Sequence, residues 1–88
     1  MNYAVVMSSK FERIIREMPR NAQITLKKLV DDIRLSGPAQ PGYINYSKLG
    51  SNTFHCHLAY RWVACWKKVE DQYIVEVYYV GSREKAPY

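Results

Sequence analysis

The chain has 88 residues, which is enough for one small domain and too few for two. Hydrophobic residues make up 48% of the sequence and charged residues 24%, a balance that excludes a disordered tail. Thirteen Lys and Arg against eight Asp and Glu give a net charge of +5, which favours a polyanionic partner. We therefore expect residues 1–88 to form a single basic domain.

The same composition argues against a membrane or secreted protein. No apolar run approaches the roughly 18 residues that a membrane span needs, and residues 1–7 lack the basic start of a signal peptide. Cys56 and Cys65 are the only thiols, too few for a disulfide framework. The prediction is a cytoplasmic protein without a membrane partner, in which both cysteines are small core residues.

The N-terminal part predicts one strand, the uncharged and β-prone residues 3–7, followed by two helices. Ser9 and Glu12 form a capping box that predicts the start of the first helix, and Pro19 ends it. Asn21 is the predicted cap of the second helix, which ends at Gly37 because glycine suits a left-handed position. Apolar residues recur at helical spacing, so the two helices form a hairpin. The predicted buried stripes are Phe11, Ile14, Ile15 and Met18, then Ala22, Leu26, Leu29, Val30 and Ile33.

The remainder of the chain predicts an antiparallel sheet. Three segments rich in aromatic and β-branched residues predict strands at 53–58, 61–67 and 73–80, and a short strand is expected around residues 48–49. The polar residues 70–72 supply one hairpin turn, whereas the turn near Tyr60 contains no Gly or Asn. The predicted fold class is α+β: an N-terminal strand, an αα-hairpin and a sheet of three or four antiparallel strands, with the helices on one face.

Two histidines mark the face of this sheet that the helices leave open. His55 and His57 stand two apart in a predicted strand, so their side chains point to the same face. Phe54, Cys56 and Leu58 point to the opposite, core face. Exposed imidazoles serve as acid or base near neutral pH, although a pair of merely solvated histidines is the common alternative. Zinc is a third alternative, but no second Cys or His pair stands at the usual spacing, and no metal is predicted.

Arg61 and Arg83 lie at predicted strand ends near the same face. Arg holds a phosphate through two parallel hydrogen bonds and also stacks on bases, although a lone Arg at a strand end is usually solvated. Tyr88 would bring a phenol to this edge, against the ordinary expectation of a frayed terminus. The convergence of these residues on one face favours a site.

The same strands carry a resemblance to a known family. It involves the Cys-His-Leu segment at 56–58, then Trp62 and Trp66, and the last strand running into Gly-Ser-Arg at 81–83. These segments look like the sheet of the RelE/ParE superfamily of toxin–antitoxin toxins, with the YafQ-like branch more similar, and the resemblance covers essentially the whole chain. It implies a cognate antitoxin and a ribosome-dependent mRNA interferase, an endoribonuclease that cuts mRNA in the ribosomal A site without a metal or other cofactor. The ParE branch instead inhibits gyrase.

The resemblance also assigns roles to individual residues. His57 matches the catalytic His of YafQ-like toxins, and Trp62 matches their following Trp, a residue that more often packs in a core than stacks on a base. Arg61 and Arg83 match RelE arginines, where YafQ-like toxins have an acidic residue and a His. Tyr88 falls close to the C-terminal Tyr of RelE or Phe of YafQ. The sequence therefore combines the two patterns.

Metal-free RNA cleavage needs a base for the ribose 2′-hydroxyl, cations for the charge on the phosphorus centre and an acid for the departing 5′ oxygen. His57 is the first choice for base or acid, with His55 or Tyr88 in support, and both histidines occupy the region where RelE has paired lysines. Arg61 and Arg83 would clamp the phosphate. The predicted substrate-binding residues are Lys48, Lys85 and Trp62.

Two other functions fit the sequence. One is a ParE-like toxin that binds protein and is not a nuclease. The other is a small basic RNA-binding module that stacks bases on its Tyr and Trp side chains. Turnover of translated mRNA distinguishes the enzyme from both.

Overall fold

The computed structural model describes residues 2–88. Within that range the strands and α-helices are β1 (Ala4–Met7), α1 (Glu12–Glu17), α2 (Arg20–Ser36), β2 (Ser47–Lys48), β3 (Thr53–Ala59), β4 (Trp62–Lys68) and β5 (Ile74–Ser82). Short 3₁₀ turns precede α1 at Ser9–Phe11 and follow β5 at Arg83–Lys85. This order of strand, helix pair and sheet confirms the predicted α+β class.

The strands form one mixed sheet in the order β1-β5-β4-β3-β2. β1 runs parallel to β5, with Val5 opposite Val75, and the other neighbours are antiparallel. The sheet thus has five strands in the described chain, slightly more than the three or four predicted. The sequence of β1 predicts a strand but not the strand that it pairs with. Its partner β5 lies about seventy residues later in the chain, and nothing within β1 indicates that pairing.

Both helices pack on one face of the sheet through the predicted apolar stripes. The largest fully buried side chain is Trp66, which lies in the core beneath them. Its indole Nε1 donates a hydrogen bond to the carbonyl oxygen of Pro38 at 2.9 Å, which ties the loop after α2 to the sheet. The buried stripe residues are Phe11, Met18, Ala22, Leu26, Leu29 and Ile33, with Ile14, Ile15 and Val30 partly buried.

The first helix begins later than predicted, after a 3₁₀ turn. Ser8, not Ser9, provides the cap: its Oγ accepts a hydrogen bond from the backbone N–H of Lys10 at 3.2 Å. The capping-box prediction is wrong because Ser8 has the extended backbone that a cap requires (φ −66°, ψ 142°), whereas Ser9 already lies within the turn.

The second helix, by contrast, begins earlier than predicted, and it ends where expected. α2 starts at Arg20 directly after Pro19, so Asn21 lies inside the helix and does not cap it. Pro19 itself occupies the cap position with ψ of 151°, and its side chain makes no capping hydrogen bond. Gly37 follows the last turn with φ of 98°, a conformation that favours glycine. No helix among residues 2–88 is long and apolar enough to cross a membrane.

Both cysteines are buried and free, which confirms their prediction as small core residues. Cys56 faces the helices, and Cys65 faces the other side, opposite His55 in the β3–β4 register. Burial raises the pKa of each thiol to about 12. Both therefore stay protonated and unreactive at neutral pH.

Candidate active site

The sheet face opposite the helices carries both histidines, and we call it the histidine face. Phe54, Cys56 and Leu58 point to the helices and are buried in the core, as the alternation in β3 predicts. The rings of His55 and His57 lie on the other side with their centroids 6.1 Å apart. The strand period therefore brings two imidazoles side by side.

His55 is buried, which differs from the open position that the sequence predicts. Only 8% of its surface is exposed. The ring of Tyr88 lies over it, with the two ring centroids 4.3 Å apart, and the Oγ of Ser47 shares a hydrogen bond with its Nδ1 at 2.9 Å. Alternation in β3 separates His55 from the helices, but it does not reveal that the C-terminal segment returns to cover the ring.

The burial of His55 predicts a pH dependence of stability. Burial lowers the pKa of His55 below its ordinary value, and the charge of His57 lowers it further. Between the unfolded pKa of about 6.5 and the lower folded one, the folded protein binds fewer protons than the unfolded chain. This part of the free energy of unfolding is therefore present above about pH 6.5 and is lost as the pH falls below it.

We expect His55→Gln to remove this dependence. Urea unfolding of the wild type and the variant between about pH 5 and pH 8 measures it, since the other titrating groups are common to both proteins. The informative quantity is the slope of the free energy of unfolding against pH, and not the free energy at any one pH. Equal slopes below pH 6.5 in the two proteins would show that His55 does not titrate abnormally.

Both arginines lie at one end of the histidine face. The backbone N–H of Arg83 donates to the carbonyl oxygen of Arg61 at 2.7 Å, which joins the β3–β4 turn to the residue after β5. His57, Val63 and Gly81 lie opposite one another across the three strands. With strands about 4.8 Å apart, this row leads from the imidazole to the strand end that carries Arg83.

The two arginines differ in their ionic partners. Nη2 of Arg61 lies 3.3 Å from Oε2 of Glu84, and both side chains are more than half exposed. An exposed pair of this kind is worth at most about 1 kcal/mol, so separating Glu84 from Arg61 costs little. None of the ion pairs within residues 2–88 involves Arg83. Within residues 2–88, the guanidinium of Arg83 is thus free of a carboxylate partner.

The ring of Tyr88 lies over His55, and its phenol is near enough to Arg83 for the arginine's charge to act on it. Burial raises the pKa of Tyr88 above its ordinary value, and the charge of Arg83 acts in the opposite direction. The phenol is protonated at neutral pH, as that of an ordinary tyrosine is, and the raised pKa makes it a weaker acid. Tyr88 is therefore able to donate a hydrogen bond from this face.

The three predicted substrate-binding residues are not grouped together. Lys48 lies opposite Phe54 in the β2–β3 register, which places it on the helix side of the sheet, away from the histidines. Trp62 is partly buried and packs against the core. Lys85 is exposed in the turn after β5, two residues from Arg83. Of the three, only Lys85 lies in the same turn as Arg83.

Two clefts flank His57, and most of their lining was not predicted from the sequence. One has a volume of about 210 Å³ and is lined by Thr25 and Lys28 of α2 together with the loop that precedes β2. The other, which we call the Tyr60 cleft, has a volume of about 220 Å³. The sequence signal that could have indicated the Tyr60 cleft is Tyr60 itself, an aromatic residue in a short turn where Gly or Asn is usual. The residues that line the Tyr60 cleft are Ile44, Asn45, His57, Ala59 and Tyr60.

No group of three or more His, Cys, Asp or Glu side chains that could hold a metal ion occurs in the described part of the chain. The metal-free site stays a prediction.

The sequence matches no protein family and none of the curated proteins with which it was compared. The structure, by contrast, matches solved structures along almost its whole length. The archaeal RelE–RelB complex from Pyrococcus horikoshii OT3 has a TM-score of 0.74 over 98% of this chain and 100% of that chain, at 9% identity. The E. coli DinJ–YafQ toxin–antitoxin complex has a TM-score of 0.71 over 100% of both chains, at 12% identity. The fold is that of the RelE and YafQ toxins.

The free E. coli RelE toxin, in a double arginine-to-alanine variant, agrees equally well. Its TM-score is 0.71 over 98% of this chain and 88% of that chain, at 15% identity. The resemblance to RelE and YafQ seen in the sequence is thus confirmed for the fold. At identities this low the likeness extends to the fold, and activity has to be argued from the side chains.

Proposed function

We propose that this protein is the toxin of a toxin–antitoxin pair and cleaves mRNA during translation. The observation that carries the proposal is the histidine face of a RelE-like and YafQ-like fold, on which the Tyr88 ring lies over His55, the neighbour of His57. Arg61 and Arg83 are hydrogen bonded through their backbones at one end of this face. A net charge of +5 favours an anionic substrate and an acidic antitoxin. The site of action is the cytoplasm, where translated mRNA is present.

In this mechanism the side chains supply each proton transfer. His57 takes the proton from the ribose 2′-hydroxyl, and the oxygen attacks the neighbouring phosphorus while the bond to the 5′ oxygen breaks. Arg83, assisted by Arg61, binds the non-bridging oxygens and stabilises the charge that develops on them. Tyr88 donates its proton to the departing 5′ oxygen. The products are a 2′,3′-cyclic phosphate and a 5′-hydroxyl end, so no water, metal or cofactor enters the step.

His55 has a different role from His57. The Tyr88 ring covers it, and only 8% of its surface reaches solvent, so a substrate does not touch it directly. His55 is therefore a positioning residue that holds the phenol over the histidine face, with Ser47 orienting its ring through Nδ1.

Inducible expression in growing E. coli tests the proposal. We expect growth to stop, translation to fall and new 5′-hydroxyl ends to form within translated reading frames but not in the same mRNA without its start codon. Co-expression with the short acidic antitoxin that we expect from the neighbouring reading frame restores growth. Growth arrest with intact mRNA would favour a ParE-like toxin, and unimpaired growth without any partner would contradict the toxin assignment.

A further inference from the structure

The Tyr60 cleft has the lining that a flat, partly polar ligand requires. Its apolar walls are Ile44 and the ring of Tyr60, which are 71% and 83% exposed, and Asn45 contributes an amide. An aromatic ring stacks with the face of any nucleobase, and an amide pairs with the donors and acceptors of its edge. The shape and chemistry of the cleft therefore suit a single unpaired base.

The loop that forms one wall of the cleft is held in place from several sides. The hydroxyl of Tyr43 donates a hydrogen bond to Asp32 of α2, and the carbonyl oxygen of Ile44 accepts one from the N–H of His57 at 2.8 Å. Asn45 takes a φ of 54°, a left-handed conformation that Asn tolerates better than most residues. The wall is thus formed before any ligand binds, which lowers the entropic cost of binding.

The position of the cleft connects it to the phosphate-binding arginines. Its lining includes His57, the proposed base, and Arg61 follows Tyr60 directly in the β3–β4 turn. Arg61 in turn is hydrogen bonded through its backbone to Arg83. A nucleotide carries a base and a phosphate on one sugar, so a base in the cleft leaves its phosphate beside these cations.

We propose that the Tyr60 cleft binds one unpaired nucleobase of the RNA next to the scissile phosphate, an assignment that rests on the proposed function. The base stacks on Tyr60 with Ile44 on its other side, and its edge is read by the amide of Asn45. These three residues would then set which base is preferred at the cleavage site.

Nucleotide binding is measured separately from cleavage. The full chain, labelled with ¹⁵N, is titrated with each of the four nucleoside 5′-monophosphates, and we expect shifts of the backbone amides of Ile44, Asn45 and Tyr60. Tyr60→Ala weakens binding about fivefold or more, the lower end of the loss of a stacking aromatic, and Tyr60→Phe retains it. Tyr73→Ala, at the other hairpin and 53% exposed, is the matched control and leaves binding unchanged.

Cleavage by the same variants gives the second measurement. We expect Tyr60→Ala to raise KM about fivefold or more with little change in kcat, and Asn45→Ala to change the base preference of mapped mRNA ends. We also expect Ile44→Ser to change KM. Its matched control is Ile24→Ser on α2, a residue that is 57% exposed and outside both clefts, and this control leaves KM unchanged.

The outcomes separate this inference from the proposed function. If the wild type cleaves mRNA while Tyr60→Ala and Asn45→Ala change neither KM nor preference, the base site is wrong and the nuclease stands. If nucleotides shift the cleft amides of a protein that cleaves nothing, the nuclease is wrong, the cleft still binds a nucleobase, and its assignment beside a scissile phosphate is wrong. If all four nucleotides leave those amides unshifted and Tyr60→Ala releases a co-purifying protein partner, the cleft is a protein contact and the base site is wrong.

Discussion

His57→Ala is expected to lower the rate of mRNA cleavage by about 10² to 10⁴, the contribution typical of a general acid or base. The imidazole is partly exposed, lines both clefts and lies outside the hydrophobic core, so its removal leaves the packing of the sheet unchanged. Single-turnover cleavage of a translated mRNA measures the rate, and urea unfolding confirms that the variant is folded.

The neighbouring histidine is the matched control. His55→Ala removes a buried ring from beneath Tyr88, so we expect a loss of stability together with a smaller loss of cleavage than for His57→Ala. Full activity of both variants on translated mRNA would remove the histidines from the mechanism. A larger catalytic loss for His55→Ala, at equal folded fractions, would exchange the two roles.

Arg83→Ala is expected to raise the barrier to cleavage by about 2.7 to 4 kcal/mol, the usual cost of removing one preorganised donor to a developing anion. Binding of RNA or ribosomes stays nearly unchanged, because the interaction strengthens in the transition state. Arg83→Lys recovers only part of the rate, since an ammonium keeps the charge but loses the planar fork. The rate constant at saturating substrate measures the loss of transition-state stabilisation, and the binding constant measures any loss of substrate binding.

Two further variants decide what Arg83 does. Arg83→His places there the residue of YafQ-like toxins, and partial activity with a new acidic limb in the pH–rate profile would show that this position also donates a proton. Arg16→Ala controls for net charge, and we expect it to keep the wild-type rate. Arg16 is an exposed residue of α1, which packs on the face of the sheet opposite the histidines. Cleavage by Arg83→Ala at the wild-type rate would contradict the phosphate clamp.

Local patterns in the sequence were sufficient to predict the elements and their faces. In β3 the alternation separated His55 and His57 from the buried Phe54 and Cys56, because successive side chains of any strand point to opposite faces. The apolar spacing of α2 and the glycine after it likewise predicted its buried stripe and its end at Gly37. These features depend on backbone geometry over a few residues, and a single sequence contains that information.

Tertiary structure decided which of these residues meet. Tyr88 covers His55, which made a residue expected to be open into a buried one, and Glu84 pairs with Arg61 and leaves Arg83 free of an ion pair within residues 2–88. The Tyr60 cleft forms because the N–H of His57 bonds to the carbonyl of Ile44 in a loop that belongs to another part of the chain. Such contacts arise from the packing of segments distant in sequence, and no period or turn signal within one segment encodes its partner in another.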